Sequence, residues 1–292
     1  MIKEKMMMIM KLRTPSPPPP QPQYSAIKRP VTKRINIEDT ANIILFLAAF
    51  LGIWQLIFML EIWPKVSLPS PLTVAQSFLD LIGDYSLIYG IAVTMWRLLV
   101  GFSISIAIGA AIGLAMVKFN GFGKTMSSFA LGLQSFPSIA WVPFAILLIG
   151  LNDFGILFVV IMSSVFSVMI STYSGIRNIS PIYMRAARNM GARGVSLFRH
   201  VMLPAATPSL ITGIRQAWSF AWHALIGAEI LITTLVGLGH ILFVGREFQL
   251  MGQIIATMIT IFAIGLLFDR FVFYKLEERV RAKWGLDQQN EQ

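Results

Sequence analysis

The sequence predicts an all-α fold, a polytopic transmembrane helical bundle of about six spans. Composition is the first reason. Of 292 residues, 55% are hydrophobic and 13% are charged, against about 25% charged in an ordinary soluble domain. A surface so short of charge must largely face lipid. Length is the second reason. Stretches 41–60, 98–117, 127–149, 154–176, 209–235 and 248–268 each reach the roughly twenty helical residues that cross about 30 Å of hydrocarbon. All but the fifth lack charged residues, and none shows the short alternation of a membrane barrel strand. Charge bias is the third reason. With the N-terminus inside, segments 1–40, 118–126, 176–205 and 269–292 hold 20 of the 24 Lys and Arg. That asymmetry sets orientation and predicts that both termini are cytoplasmic. The formal charge of +10 therefore reflects topology and not a nucleic-acid surface.

Residues 1–40 are expected to form a disordered, basic cytoplasmic tail. Pro15, the Pro17 to Pro20 run, Pro22 and Pro30 favour extended polyproline conformations, and too little apolar surface is present to offset ordering. Its Lys and Arg side chains are expected to lie against anionic membrane lipid. Residues 41–274 form the transmembrane domain, with a cytoplasmic loop at 176–205, and 275–292 form a second cytoplasmic tail. After the first span, Pro71 suits a first helical turn. Leu72, Ala75, Phe78, Leu79 and Ile82 then recur at helical spacing, predicting an amphipathic helix along the outer membrane surface. The second span carries Gly101, Ser105, Gly109 and Gly113 at intervals of four. Small residues so spaced let another helix approach closely, and packing is preferred over pore lining. Gln134, Pro137, Trp141 and Pro143 fall in the third span. Its prolines predict a kinked helix set against protein or a cavity.

Gly121-Phe122-Gly123-Lys124-Thr125 resembles the end of a phosphate-binding loop, but Lys118 stands where the first glycine is required and no strand precedes it. The segment is expected to be a short cytoplasmic turn, leaving ATP to a separate chain. The absence of cysteine excludes disulfides and thiolate metal sites. His200, His223 and His240 show no metal-ligand spacing. Ser219 and His223 are one turn apart, yet no oriented acid or oxyanion feature accompanies them. They are expected in helix contacts or along a path, and the chain is not expected to be an enzyme.

Ionisable groups inside the spans say more, because a charge at mid-membrane costs roughly 2.5–3.5 kcal/mol on insertion scales. Arg97 opens the second span at its outer end, and Glu229 lies at matching depth in the fifth. They are predicted to pair, and exchange of the two charges is expected to preserve the pair. Arg215, near the inner start of the fifth span, is expected to snorkel to lipid phosphates.

Residues 185–204 carry the most specific pattern. They are polar and basic, lie between two apolar runs, and resemble the E-A-A-x3-G-x9-I-x-L-P signature of ABC-importer permeases. Ala186, Ala187, Gly191, Leu203 and Pro204 match at the right spacing, Val201 stands for the Ile, and Arg185 replaces the usual Glu. Leu68-Pro69-Ser70-Pro71, Thr94-Met95-Trp96-Arg97 and Pro137-Ser138-Ile139-Ala140-Trp141-Val142-Pro143 resemble, more narrowly, the nitrate/sulfonate/taurine/bicarbonate permease family. So do Leu203-Pro204-Ala205-Ala206-Thr207-Pro208, Ala228-Glu229 and Gly237-Leu238-Gly239.

The resemblance implies a type I importer in the bacterial inner membrane that moves a small anionic solute inward by alternating access. Its partners would be a second permease copy, two cytosolic ATP-binding subunits and a periplasmic or extracellular substrate-binding protein. This chain would bind no cofactor, ATP and Mg residing on the ATPase. Coupling to the ATPase would fall on Arg185, Ala186, Ala187, Gly191, Val201, Leu203 and Pro204. Arg97, Gln134, Trp141, Trp222, His223 and Glu229 would form the path or its gate. Gly191 is expected to turn the chain after a short helix, and Pro204 to end the coupling segment. A membrane channel or scaffold without an ATPase is the alternative.

Overall fold

The computed structural model describes residues 37–64, 66–232 and 236–284; of the two expected tails, 1–36 and 285–292 lie outside them. Two compact units divide between Phe50 and Leu51. The first contributes the start of helix α1 (Ile37–Met59), where Ile43, Ile44, Leu45 and Phe46 are all exposed. Four successive exposed apolar residues cover every side of a helix, which suits a span surrounded by lipid.

The second unit continues with α2 (Pro71–Gly83), α3 (Ser86–Lys118), α4 (Asn120–Gln134), α5 (Trp141–Leu148) and α6 (Asp153–Arg177). Then come α7 (Pro181–Asn189), α8 (Gly194–Leu197), α9 (Leu203–Leu231), α10 (Leu238–Glu247), α11 (Met251–Phe268) and α12 (Lys275–Trp284). No strand occurs among the described residues.

Helix α6 is the centre of the unit and packs most extensively on α3 and α9. Small residues make this possible. On α3, Gly101 faces Val160, Gly109 faces Val168 and Gly113 faces Thr172. A Cβ at Gly109 or Gly113 would come within 2.8 or 2.6 Å of α6 atoms. Ser105 completes the row: its Oγ accepts from Ser164 Oγ at 2.8 Å and donates to the Ile161 carbonyl at 3.3 Å. The row is a helix seam, closed by packing. Gly213 of α9 meets Ser171 of α6 in the same way, with Ser167 Oγ donating to the Gly213 carbonyl.

Helix ends follow local chemistry. Ser70 caps α2 by accepting from the Thr73 N–H at 3.1 Å, with Pro71 in the first turn. Asn152 caps α6 through the Gly155 N–H. Before α3, Tyr85 adopts φ +63, and the Asp84 carboxylate accepts from the Ser86 hydroxyl and N–H. Those bonds hold the Asp84 carboxyl below its ordinary range.

Several expectations change. The third span is no straight helix: α4 and the stretch Ser138–Leu148 meet at 94°. Pro137 disfavours helical geometry at Phe136 and breaks the run there. Pro143 lies in the first turn of α5, where its missing N–H is not needed. Gly121 to Thr125 are helical, the first turns of α4, and the connection from α3 is Phe119 alone. In α2 the buried face is Val74 and Leu81 with Phe78 half-buried, while Leu72 and Leu79 point outward. That helix packs on α11, where Gly252 abuts Ser77. Helix α10 is a further short helix between the fifth and sixth expected spans. Among the described residues four helices are long and apolar enough to span, or five with the bent pair; α9 has the length, but its polar face lowers its apolarity.

The seam gives a test. Gly109→Val and Gly113→Val should each lower stability in detergent by about 1–3 kcal/mol or more through overpacking, whereas Gly121→Ala, which meets no neighbour within 4 Å, should leave the melting temperature unchanged.

Candidate functional site

Three features of α9 define the site: a buried charge at one end, a polar face along its middle, and the segment that precedes it. At the first, Glu229 is fully buried and Arg97 is 6% exposed. Arg97 Nη1 donates to Glu229 Oε1 and to the Val236 carbonyl, both at 2.8 Å. Its Nη2 donates to Asp153 Oδ1 at 2.7 Å. The Thr94 hydroxyl lies 3.0 and 2.9 Å from the two Glu229 oxygens and accepts from the Leu238 N–H. The Gly239 N–H donates to Glu229 Oε2 at 3.0 Å.

Two glycines are required there. Gly237 has φ +147, and a Cβ on it would sit 2.7 Å from the Glu229 carboxylate. At Gly239 a Cβ would lie 2.4 Å from that of Glu229. The expected Arg97–Glu229 pair is present, joined by four further groups: Thr94, Asp153, the Val236 carbonyl and the Gly239 amide. Thr94 stands one turn before Arg97, the spacing that aligns side chains on one helix face. Arg97 lies inside a helix begun at Ser86, not at its opening.

Helix α9 has one exposed face. Between Pro204 and Ile230 its exposed positions are Ser209, Thr212, Gln216, Ser219 and His223, and no others. Steps of three and four residues set them in one row, and all five are polar. His223 Nδ1 contacts the Ser219 carbonyl at 2.6 Å, so no hydroxyl–imidazole pair forms. Two cavities flank the row. One of about 640 Å³ is lined by Gln134, Ser167, Ser171, Ser174, Thr212 and Gln216, among others. The other, about 930 Å³, is more apolar and includes Arg215, Trp222, His223, Phe262 and Asp269. Gln134 and His223 thus face different cavities that share Thr212 and Gln216. Trp141 touches neither; it packs among Phe136, Phe144, Phe158 and Phe166. Neither cavity is lined by Arg97 or Glu229.

Arg215 does not snorkel. It grips Asp269 through Nε and Nη2, both at 2.7 Å, and Glu277 through Nη1 at 2.9 Å, tying α9 to the C-terminal helices. Carboxylates 54 and 62 residues away in sequence give no local signal of this.

In the segment before α9, Arg185, Ala186 and Gly191 are exposed, Ala187 is buried, and Val201 and Pro204 are partly covered. Gly191 has φ +84, and the Ala192 N–H returns to the Ala187 carbonyl at 2.9 Å, a glycine helix stop. Pro204 ends nothing: α8, a π turn at Phe198–Met202 and α9 run on continuously, with Leu203 the first residue of α9. A proline ring inside a regular helix would clash with the carbonyl four residues earlier, and the wider π turn just before it accommodates the ring.

Glu229→Gln should cost about 3–5 kcal/mol, the loss typical when one partner of a buried pair is removed. Asp153→Asn should cost under about 1 kcal/mol, since that carboxylate is 63% exposed. The Arg97→Glu, Glu229→Arg exchange should not recover stability, because a cation at 229 would face the Gly239 N–H. Thermal unfolding in mild detergent distinguishes all three.

Residues 104–281 match the family described as binding-protein-dependent transport system inner membrane component. SsuC of Escherichia coli K12, named for aliphatic sulfonates transport, is 32% identical over 80% of this chain and 88% of its own length. CmpB of Synechococcus elongatus, named as a bicarbonate transport system permease, is 31% identical over 79% and 87%. An ABC transporter permease protein of Methanocaldococcus jannaschii is 28% identical over 85% and 94%. A chain of the inward-facing MetNI methionine ABC transporter aligns with a TM-score of 0.54 over 68% of this chain and 96% of that one; at 18% identity this likeness concerns the fold alone. The family match over most of the bundle, with relatives above 30% identity along four-fifths of the chain, makes this protein a member of the inner-membrane permease family of binding-protein-dependent ABC importers.

Proposed function

We propose that the chain is the membrane pathway of an ATP-driven importer for a small anion of the sulfonate, taurine, nitrate or bicarbonate class. The observation that carries the pathway is the polar face of α9. Helices α1 and α11 expose apolar residues such as Phe46, Ile53 and Leu267, as lipid requires. The exposed positions of α9 from Ser209 to His223 contain none. Such a face in hydrocarbon would leave polar groups unsatisfied, so it belongs against water or another copy. Two copies apposed along it would enclose a channel of hydroxyl, amide and imidazole donors suited to an oxyanion. Relatives named for sulfonate and bicarbonate transport support the anion class.

The segment from α7 to the start of α9 is the coupling site for a separate ATP-binding subunit, Arg185, Ala186, Ala187, Gly191, Val201, Leu203 and Pro204 included. Closure of two such subunits on ATP would draw the α7 helices together and turn the α9 faces outward to receive solute from a binding protein; hydrolysis would reset them. The ends fit this orientation: Arg177, Arg185, Arg188, Arg193 and Arg199 cluster at the coupling end, while Asp80, Asp84, Asp153 and Glu247 gather at the other.

Co-purification in mild detergent should yield two identified ATP-binding subunits for two copies of this chain. In proteoliposomes supplied with binding protein and ATP, Gln216→Leu with His223→Leu should lower uptake of labelled taurine, alkanesulfonate, nitrate or bicarbonate about tenfold or more, equivalent to roughly 1.4 kcal/mol on the limiting step. Unchanged uptake of every solute by that variant would refute the pathway. Cysteine at Ser86 or Asn152 should react with an impermeant thiol reagent from outside sealed cells, and cysteine at Ser196 should not.

A further inference from the structure

The coupling segment carries an unbalanced charge. Arg185, Arg188, Arg193 and Arg199 are all exposed, and none has an ion-pair partner among the described residues. From residue 154 to 228 the sequence contains no Asp or Glu, so nothing local can neutralise them. Around these four lie outward-facing apolar side chains: Ile182 at 67%, Met190 at 84% and Val195 at 80% exposure. The backbone beneath folds back on itself. Gly191 stops α7, Ala187 is buried, and Tyr183, Ala187, Met190, His200 and Pro204 close over a small cavity of about 230 Å³. Guanidiniums set on that frame and interleaved with apolar groups match a partner surface that has carboxylates at its rim and a hydrophobic centre.

A lipid surface is the other anionic candidate, and distance argues against it. The Arg215–Asp269–Glu277 cluster opens to the two cavities and not to lipid, and it sets the inner limit of the apolar part of α9, since charges in mid-membrane are costly. From Arg215 back to Leu203 is about 18 Å of helix at 1.5 Å per residue. The headgroup layer is only about 5–8 Å deep. The segment preceding Leu203 therefore projects past the lipid into solution.

We propose that this segment docks on an acidic surface of the ATP-binding subunit, with a carboxylate of that subunit opposite Arg185. The proposal rests on the coupling reading above and adds the sign of the partner's charge, the reverse of what a Glu at position 185 would demand.

The test uses full-length chain co-expressed with the ATP-binding subunit that co-purifies with it, captured in nanodiscs containing phosphatidylglycerol. Retention of the ATPase is measured from about 0.05 to 0.5 M NaCl, a range over which the screening length shrinks severalfold. Wild-type retention should fall with salt. Arg185→Glu with Arg188→Glu should lower it about tenfold or more, since like charges then face each other. Arg185→Gln should give a smaller loss, and Arg185→Lys should stay near wild type. A compensating carboxylate-to-Lys change on the ATPase should restore the Arg185→Glu variant. Because Arg185 is exposed and has no ion-pair partner among the described residues, all variants should insert normally, checked by yield and melting temperature. Salt-independent retention, unchanged in the Glu variant, would overturn the acidic partner while leaving the ATPase reading intact. Charge reversal that reduces bound phosphatidylglycerol but not ATPase would overturn it in favour of a lipid face. A wild-type complex with no ATPase would bring down both readings.

Discussion

A guanidinium withdrawn from water must be met by anions and carbonyl oxygens or be excluded from the bundle. Arg97 is met from three directions at once: by Glu229 on α9, by Asp153 at the start of α6, and by the Val236 carbonyl beyond α9. Because α3 supplies the guanidinium, this one group fixes the mutual register of the three helices that build the core. Glu229, fully buried, would be equally costly alone. It is held by two hydrogen-bond donors besides Arg97, and one of them is a main-chain amide. Backbone can approach a carboxylate that closely only where side chains are absent, which accounts for Gly237 and Gly239. The charge therefore dictates the sequence of the turn that follows.

The same helix is treated differently along its length. From Ala224 to Glu229 every residue of α9 except the half-covered Ile226 is buried. From Ser209 to His223 one polar face is open. The open face is about 21 Å long and stops six residues short of Glu229. Arg215, between Thr212 and Gln216 in sequence, binds α9 to the C-terminal helices through Asp269 and Glu277 part-way along that stretch. The charged side chains of α9 are thus engaged by other helices, and the exposed row itself is neutral. An oxyanion passing neutral donors is held weakly enough to leave, whereas a free arginine in the same row would trap it.

Much of this could be read in the sequence, and the gaps have physical causes. The glycine row of α3 was legible because small residues at intervals of four have few other uses in a membrane helix. The Arg97–Glu229 pair was legible because lone charges are rare there. Asp153 was missed since its exposed half makes it look like any loop carboxylate. The Arg215 cluster was missed because its partners are 54 and 62 residues away, beyond any local pattern. Helix α10 hid behind its glycines, and the polar row of α9 was seen only as the single pair Ser219 and His223. The break at Phe136 was anticipated as a kink, but the near right angle depends on the 3-10 turn Ser138–Ala140 settling on Gly227, where Ile139 fills the space of the missing side chain.

These features bear on how motion could travel through the molecule. Packed interiors do not deform continuously, and the α3–α6 and α6–α9 seams leave no space even for a methyl group at Gly109, Gly113 or Gly213. From Ile211 onward α9 must therefore move with its neighbours as a body. Its N-terminal part is different. Pro204 and Pro208 each remove a backbone hydrogen bond, and the π turn at Phe198–Met202 spaces the chain irregularly. Compliance is concentrated where α9 meets the α7–α8 segment, and rigidity where it meets the buried charge. A displacement at the coupling segment is thus absorbed locally when small. When large enough to exceed that compliance it must shift the whole packed body, including the Glu229 end, about 40 Å away along the helix. Such a threshold suits a two-state device better than a graded one, because partial movement of the packed helices would separate Arg97 from Glu229 before either reached water.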